Sequence, residues 1–168
     1  MHELPPLEIS IDLQAQSGFI KRATNEVSSL FFQCNNIKLK KNNLHVTITL
    51  NYNNNNYMFE LPKSYPFEMP TNILVNNINY NKIKLINDER MRPYLKKYTG
   101  HSCFCCQSLV CANNWSPAIR LTSIINEIQK NLNIKYKISM HVLCDEIRNK
   151  YDCVGEFGEF LNIEEYLF

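Results

Sequence analysis

Apolar residues recur at three- and four-residue steps across positions 12–32, at Leu13, Phe19, Ile20, Ala23, Val27, Leu30 and Phe31. That period predicts an amphipathic helix with Lys21, Arg22 and Glu26 turned outward. The period then falls to two. Ile37 and Leu39 alternate with Lys38 and Lys40, residues 45–50 continue the alternation, and residues 57–61 resume it after the tract Asn53-Asn54-Asn55-Asn56. A fourth alternating stretch, 72–75, follows a proline-punctuated segment. Four short strands joined by Asn-rich turns predict an antiparallel meander.

Residues 76–102 are the least regular part. Ile83, Leu85 and Ile86 predict a short strand there, and residues 92–98 a short helical turn. Beyond position 111 the helical period returns. Ser116 reads as an N-cap and Pro117 as the first helical residue, opening a helix over 117–132 with Ile119, Leu121, Ile124, Ile125, Ile128 and Leu132 on one face. Met140, Leu143, Cys144, Ile147 and Tyr151 predict a third helix, and the acidic, aromatic stretch 155–168 a further short one. Neither a repeat nor a domain boundary stands out. The fold class is α+β: a helix, a four-stranded antiparallel meander, an irregular segment and C-terminal helices.

Composition narrows the partners. A chain of 168 residues is long enough for one domain with its own core. A net charge of +2 leaves no strong electrostatic footprint for nucleic acid. Every apolar run is interrupted within a few residues, so no membrane association is expected. The start, Met1-His2-Glu3-Leu4-Pro5-Pro6, lacks the basic flank and apolar stretch of a secretory signal. An odd count of seven cysteines argues against a disulfide framework and for a reducing compartment, cytoplasm or nucleus.

Four of those cysteines fall within positions 103–111, beside the chain's one tryptophan, Trp115. Three chemistries fit such a cluster. It holds a reactive thiol, or a metal, or a buried apolar patch, since free cysteine packs as a small apolar residue. For the metal reading, Cys103 and Cys106 form a Cys-x-x-Cys step that Cys111 and His101 complete to four tetrahedral zinc ligands. Structural zinc sites usually show two separated ligand pairs, whereas here the ligands are crowded into one run. Without zinc no cofactor is expected. Cys34, Cys105, Cys111 and Cys144 read as core residues, Trp115 likewise, and Lys40-Lys41 and Lys96-Lys97 as solvated faces.

Two segments resemble a known family. Pro62-Lys63-Ser64-Tyr65-Pro66-Phe67-Glu68-Met69-Pro70 resembles the segment after the third strand of ubiquitin-conjugating enzymes. Trp115-Ser116-Pro117-Ala118, running directly into residues 123–129, resembles the Trp-Ser-Pro-Ala motif and crossover helix of the same family. The order of elements is similar too, and the resemblance covers roughly residues 12–132. It implies a UBC-like fold in a single domain over 1–168, with 133–168 as a divergent helical extension. It also implies a nucleophile shortly before the tryptophan, followed by two aliphatic anchors. Cys106-Gln107-Ser108-Leu109-Val110 has that phase, which makes Cys106 the implied nucleophile. Its role would be to accept ubiquitin or a ubiquitin-like modifier from an activating enzyme as a thioester, then pass it to an amine or thiol. Phe67, Ser116, Pro117 and Ala118 would face a ubiquitin ligase, and Lys21 and Arg22 the activating enzyme.

The chain also departs from the family's pattern. The His-Pro-Asn motif, whose Asn is thought to steady the oxyanion, is missing; Asn81, after Tyr80, stands at about its place and is the second candidate catalytic residue. The interval from Tyr65 to Cys106 is longer than usual, which implies an insertion within 82–102. The acidic residue often found after the nucleophile is Ser108 here, and Asn131-Leu132-Asn133-Ile134-Lys135 replaces an acidic, proline-rich loop. Both changes remove groups that would orient or deprotonate an attacking lysine. Two alternatives therefore stand beside the enzyme: a catalytically inactive binding module of the same fold, and a zinc-stabilised interaction domain.

Overall fold

Strict alternation builds the sheet. The computed structural model describes residues 18–30, 34–42 and 44–151; both ends of the expected first helix and the stretch 155–168 lie outside them. Strands β1 (Asn35–Lys41), β2 (His45–Tyr52), β3 (Asn55–Pro62), β4 (Asn72–Val75) and β5 (Ile78–Asn79) form an antiparallel sheet in sequence order. One face is apolar: Val46, Ile48 and Leu50 of β2, Tyr57, Phe59 and Leu61 of β3, and Ile73 and Val75 of β4 are all buried. The expected four strands become five, because β5 pairs with β4 through Leu74–Asn79 and Val75–Ile78.

Asparagine makes the tight turns. Tyr52 faces Asn55 across a two-residue connection in which Asn53 and Asn54 have φ of 46° and 61°. Val75 faces Ile78 across Asn76 and Asn77, with φ of 51° and 65°. Positive φ at both central residues is what a two-residue hairpin needs to match strand twist, and asparagine tolerates it better than other side chains except glycine. Between β1 and β2 the Asn42 carboxamide oxygen accepts the Leu44 and His45 N–H groups at 2.9 and 2.8 Å. The polar tract is thus turn chemistry. Asn54→Gly is expected to leave urea stability unchanged or slightly raised, while Asn54→Val costs about 1–2 kcal/mol, the cost of forcing a branched side chain left-handed.

Helix α1 (Gly18–Leu30) lies against β2 and buries Ile20, Ala23, Val27 and Leu30 as expected. It also buries Glu26, which is only 3% exposed. The outward reading of Glu26 is corrected: it shares a face with Ala23 and Leu30, three residues before it and four after. Residues 80–86 correct another expectation. Tyr80–Lys84 is a short helix, α2, rather than a strand over 83–86, while the helical turn expected at 92–98 is found as α3 (Met91–Thr99).

The two helices expected over 117–132 and 140–151 are one, α4 (Leu121–Tyr151). Between Pro117 and Gly155 the chain carries no proline or glycine, so nothing local stops the helix. Among the described residues no helix is long and apolar enough to cross a membrane.

The chain divides into two compact units. The first comprises Met1–Ile83 and Gln107–Glu127, and so holds α1, the sheet and the first turns of α4. The second comprises Lys84–Cys106 and Ile128–Phe168. Its core is Leu95, Phe104 and Ile138, with Ile86, Met91, Tyr94, Tyr98 and Ile134 packed against them. Each fully buried side chain of that size contributes about 1.5–3 kcal/mol. Around this core Tyr94 stacks on His141 with ring centres 5.2 Å apart, the Tyr98 hydroxyl meets His141 Nε2 at 2.5 Å, and the Tyr94 hydroxyl donates to Asp145. Gly100, at φ 75°, ends α3 by donating to the Lys96 carbonyl at 2.8 Å.

Candidate functional site

Two carboxylates organise the segment between the cysteines and α4. Glu26 Oε1 accepts Arg22 Nε–H at 2.8 Å and the Tyr65 hydroxyl at 3.2 Å, and Glu26 Oε2 accepts the Leu121 N–H at 3.0 Å. Leu121 opens α4, whose first turn has no acidic residue of its own. A carboxylate from α1 thus answers one of the orphan donors and favours the positive end of the helix dipole. Arg22 extends the same knot, donating from Nη2 to the Pro117 and Ile119 carbonyls at 3.2 and 3.3 Å. Burial and the Glu26 charge push the Tyr65 phenol well above its usual range.

Glu127 does the corresponding work one helical stretch later. Its Oε1 accepts the Ser108 and Tyr80 hydroxyls, both at 2.7 Å, and its Oε2 accepts the Leu109 N–H at 2.6 Å. Ser108 is buried, and its Oγ also accepts the Val110 N–H at 3.3 Å. Ser108, at the position where the resemblance would expect an acid, is therefore a structural donor, tied to an acid brought from α4. Of the two expected anchors, Val110 is buried and Leu109 half-buried. Turns complete the segment: the Cys111 N–H donates to the Ser108 carbonyl at 3.1 Å, and the Trp115 N–H to the Cys111 carbonyl at 2.9 Å.

The segments expected to face a ligase share the first unit. Trp115 Nε1–H donates to the Pro66 carbonyl at 2.9 Å, and the Trp115 ring lies 6.1 Å from that of Tyr65. The Tyr65–Pro66 peptide is cis. Each end of the Trp115–Pro66 bond neighbours exposed residues: Phe67, 79% exposed, follows Pro66, and exposed Ser116, Pro117 and Ala118 follow Trp115. Ser116 does not cap α4. Its carbonyl accepts the Ile119 N–H at 2.9 Å and its Oγ the Ala118 N–H at 3.3 Å, so 116–119 is a turn and the helix starts at Leu121. Trp115, expected in the core, is half-buried.

On α1, Lys21 is exposed, as expected of a docking residue. Arg22 is not turned outward; its side chain is 28% exposed and committed to Glu26 and the two carbonyls. Its charge is spent on a structural pair, because Glu26 lies one helical turn away on the buried face.

The cysteines separate into distinct environments. Cys34 and Cys144 are buried, as expected, and burial pushes the Cys34 thiol up. Cys111 is half-buried. Cys105, expected in the core, is exposed: the buried position in this run is Phe104, whose ring occupies the core of the second unit. Cys106 is exposed and Cys103 partly so, with their sulfurs 3.3 Å apart. The Cys106 backbone N–H, then the Cys106 and Cys105 side chains, bring the Cys103 thiol down to about 7, into the range of reactive cysteines. The Cys105 thiol is pushed up by its hydrogen bond to Cys103 and by burial.

Cys106 belongs to the second unit and Asn81 to the first. Asn81 is exposed on α2, its N–H donating to Asn79 Oδ1 at 2.9 Å. His101, Cys103 and Cys106 belong to the second unit, and Cys111 to the first. Among the described residues, no group of three or more His, Cys, Asp or Glu side chains is gathered to hold a metal ion.

Glu26, Glu127 and Phe104 were not legible as site residues. The signal for Glu26 is its place on the apolar stripe of α1; Glu127 likewise sits three residues after Ile124 and one before Ile128. No protein family, curated protein or solved structure matches this chain.

Proposed function

We propose that this chain is a divergent ubiquitin-conjugating protein with a UBC-like fold, carrying ubiquitin or a ubiquitin-like modifier as a thioester on Cys106. The observation that carries the proposal is the Trp115–Pro66 hydrogen bond, which joins the two exposed segments that resemble the family's ligase-facing loops. Cys106 supports it as an exposed thiol two residues before the point where Glu127 fastens the chain. In this reading an activating enzyme approaches Lys21, a ligase engages Phe67, Ser116, Pro117 and Ala118, and Asn81 stands near the place of the family's missing asparagine. The Cys106 thiolate attacks the activated modifier and holds it as a thioester, which remains reactive toward amines and thiols. A reducing compartment, cytoplasm or nucleus, suits such chemistry.

A second reading, a catalytically inactive binding module, is favoured by one observation. The two segments that resemble ligase-facing loops lie in one compact unit and are joined by the Trp115–Pro66 bond, an arrangement that serves binding without any thiol. One assay separates the readings. Incubation with activating enzyme, ATP and ubiquitin is expected to give an adduct cleaved by thiol reductant. That adduct is lost in Cys106→Ala and retained in Cys103→Ser. Absence of an adduct with ubiquitin and the common ubiquitin-like modifiers, or an adduct indifferent to Cys106→Ala, overturns the enzyme and leaves the binding module.

A further inference from the structure

We propose that Cys103 and Cys106 form a redox-active dithiol, oxidised to an intramolecular disulfide by exchange with a small-molecule disulfide. The inference goes beyond the conjugating role and does not depend on it. Three observations carry it. The sulfurs are 3.3 Å apart, so forming an S–S bond of ~2.05 Å requires them to approach by only about 1.3 Å. The chain between them is held by Phe104, buried against Leu95 and Ile138 in the core of the second unit. This anchor fixes the backbone while leaving the two sulfurs at the surface. Finally, Cys106 is exposed and Cys103 partly exposed, and access to an incoming disulfide is what separates labile thiols from inert structural ones.

The exchange takes two steps. A thiolate of the pair attacks one sulfur of the external disulfide; that S–S bond breaks, and the departing thiolate takes up a proton. The result is a mixed disulfide on the protein. The second cysteine, as its thiolate, then attacks the protein sulfur of the mixed disulfide and displaces the remaining small thiol, which is protonated in turn. The protein exchanges two S–H bonds for one S–S bond and is oxidised, while the external disulfide is reduced to two thiols. Bridging also removes the Cys106 thiolate, so oxidation of the pair and thioester formation at Cys106 exclude one another.

The experiment uses the full chain, a metal chelator, and oxidised glutathione as the probe, with acid quenching, alkylation, intact mass and peptide mapping. The expected product has lost two hydrogens, with the bridge mapping to Cys103 and Cys106. Cys103→Ser and Cys106→Ser each lose that product and stop at glutathione held on the surviving partner. Cys105→Ser and Cys111→Ser retain it. A wild-type chain that accumulates only mixed disulfides, or whose bridge joins Cys103 to Cys105 or to any other cysteine, overturns the proposal. Both overturning results are read on the wild-type chain, so they do not depend on how any variant folds. Neither bears on whether Cys106 accepts ubiquitin, which the reductant-cleaved adduct reports separately.

Discussion

Glu26→Ala is expected to lower the unfolding free energy by about 3–5 kcal/mol, read from urea denaturation. The substitution removes the shared acceptor of Arg22, the Tyr65 hydroxyl and the Leu121 N–H. What remains is a guanidinium with its side chain only 28% exposed, a buried phenol, and the first N–H of α4 without a partner. Deleting one member of a buried pair costs more than the pair contributes, because the survivor is left desolvated. Set against a typical total of ~5–15 kcal/mol, the loss is a large share. Glu26→Gln keeps the shape but presents an NH2 to a donor on one side, and an intermediate loss is expected. An alanine variant within about 0.5 kcal/mol of wild type, the range of ordinary surface changes, would show that this carboxylate is not the fastening described.

Glu127→Ala should cost about 2–4 kcal/mol, since three donors lose one acceptor and Glu127 is only partly shielded from replacing water. Its effect is concentrated in the 107–111 segment. Leu109 N–H protection in hydrogen exchange is expected to fall at least about tenfold, the equivalent of ~1.4 kcal/mol. Tyr80→Phe, which removes one of the three donors, should cost only about 1 kcal/mol. The double variant Ser108→Ala with Glu127→Ala provides the sharper measurement: residues sharing a hydrogen bond couple by about 0.5–3 kcal/mol, so simple additivity would sink the assignment.

The apolar periods revealed most of the scaffold. Alternation placed four strands correctly because one face of the sheet is buried and the other is not, and the stripe of α1 was equally plain. What stayed hidden depends on contacts distant in sequence. Local start signals are strongest at Pro117, but α4 begins at Leu121, where its cap is Glu26, 95 positions away in the chain. The charge of Glu26 argues for the surface, although its position on the wheel puts it inside. β5 is two residues long, too short for any period to show. In the cysteine run the chain's own pattern drew attention to sulfur, whereas the residue that fixes the run is Phe104, and no spacing rule singles out one aromatic between two cysteines.

The Trp115–Pro66 bond has an optical consequence. Trp115 is the chain's one indole, half-buried and hydrogen-bonded to the residue before Phe67. Emission excited at the red edge of indole absorption therefore originates beside the segments proposed to meet a ligase. A partner seated there changes the polarity around that ring, so the unlabelled protein reports its own occupancy by a shift in colour.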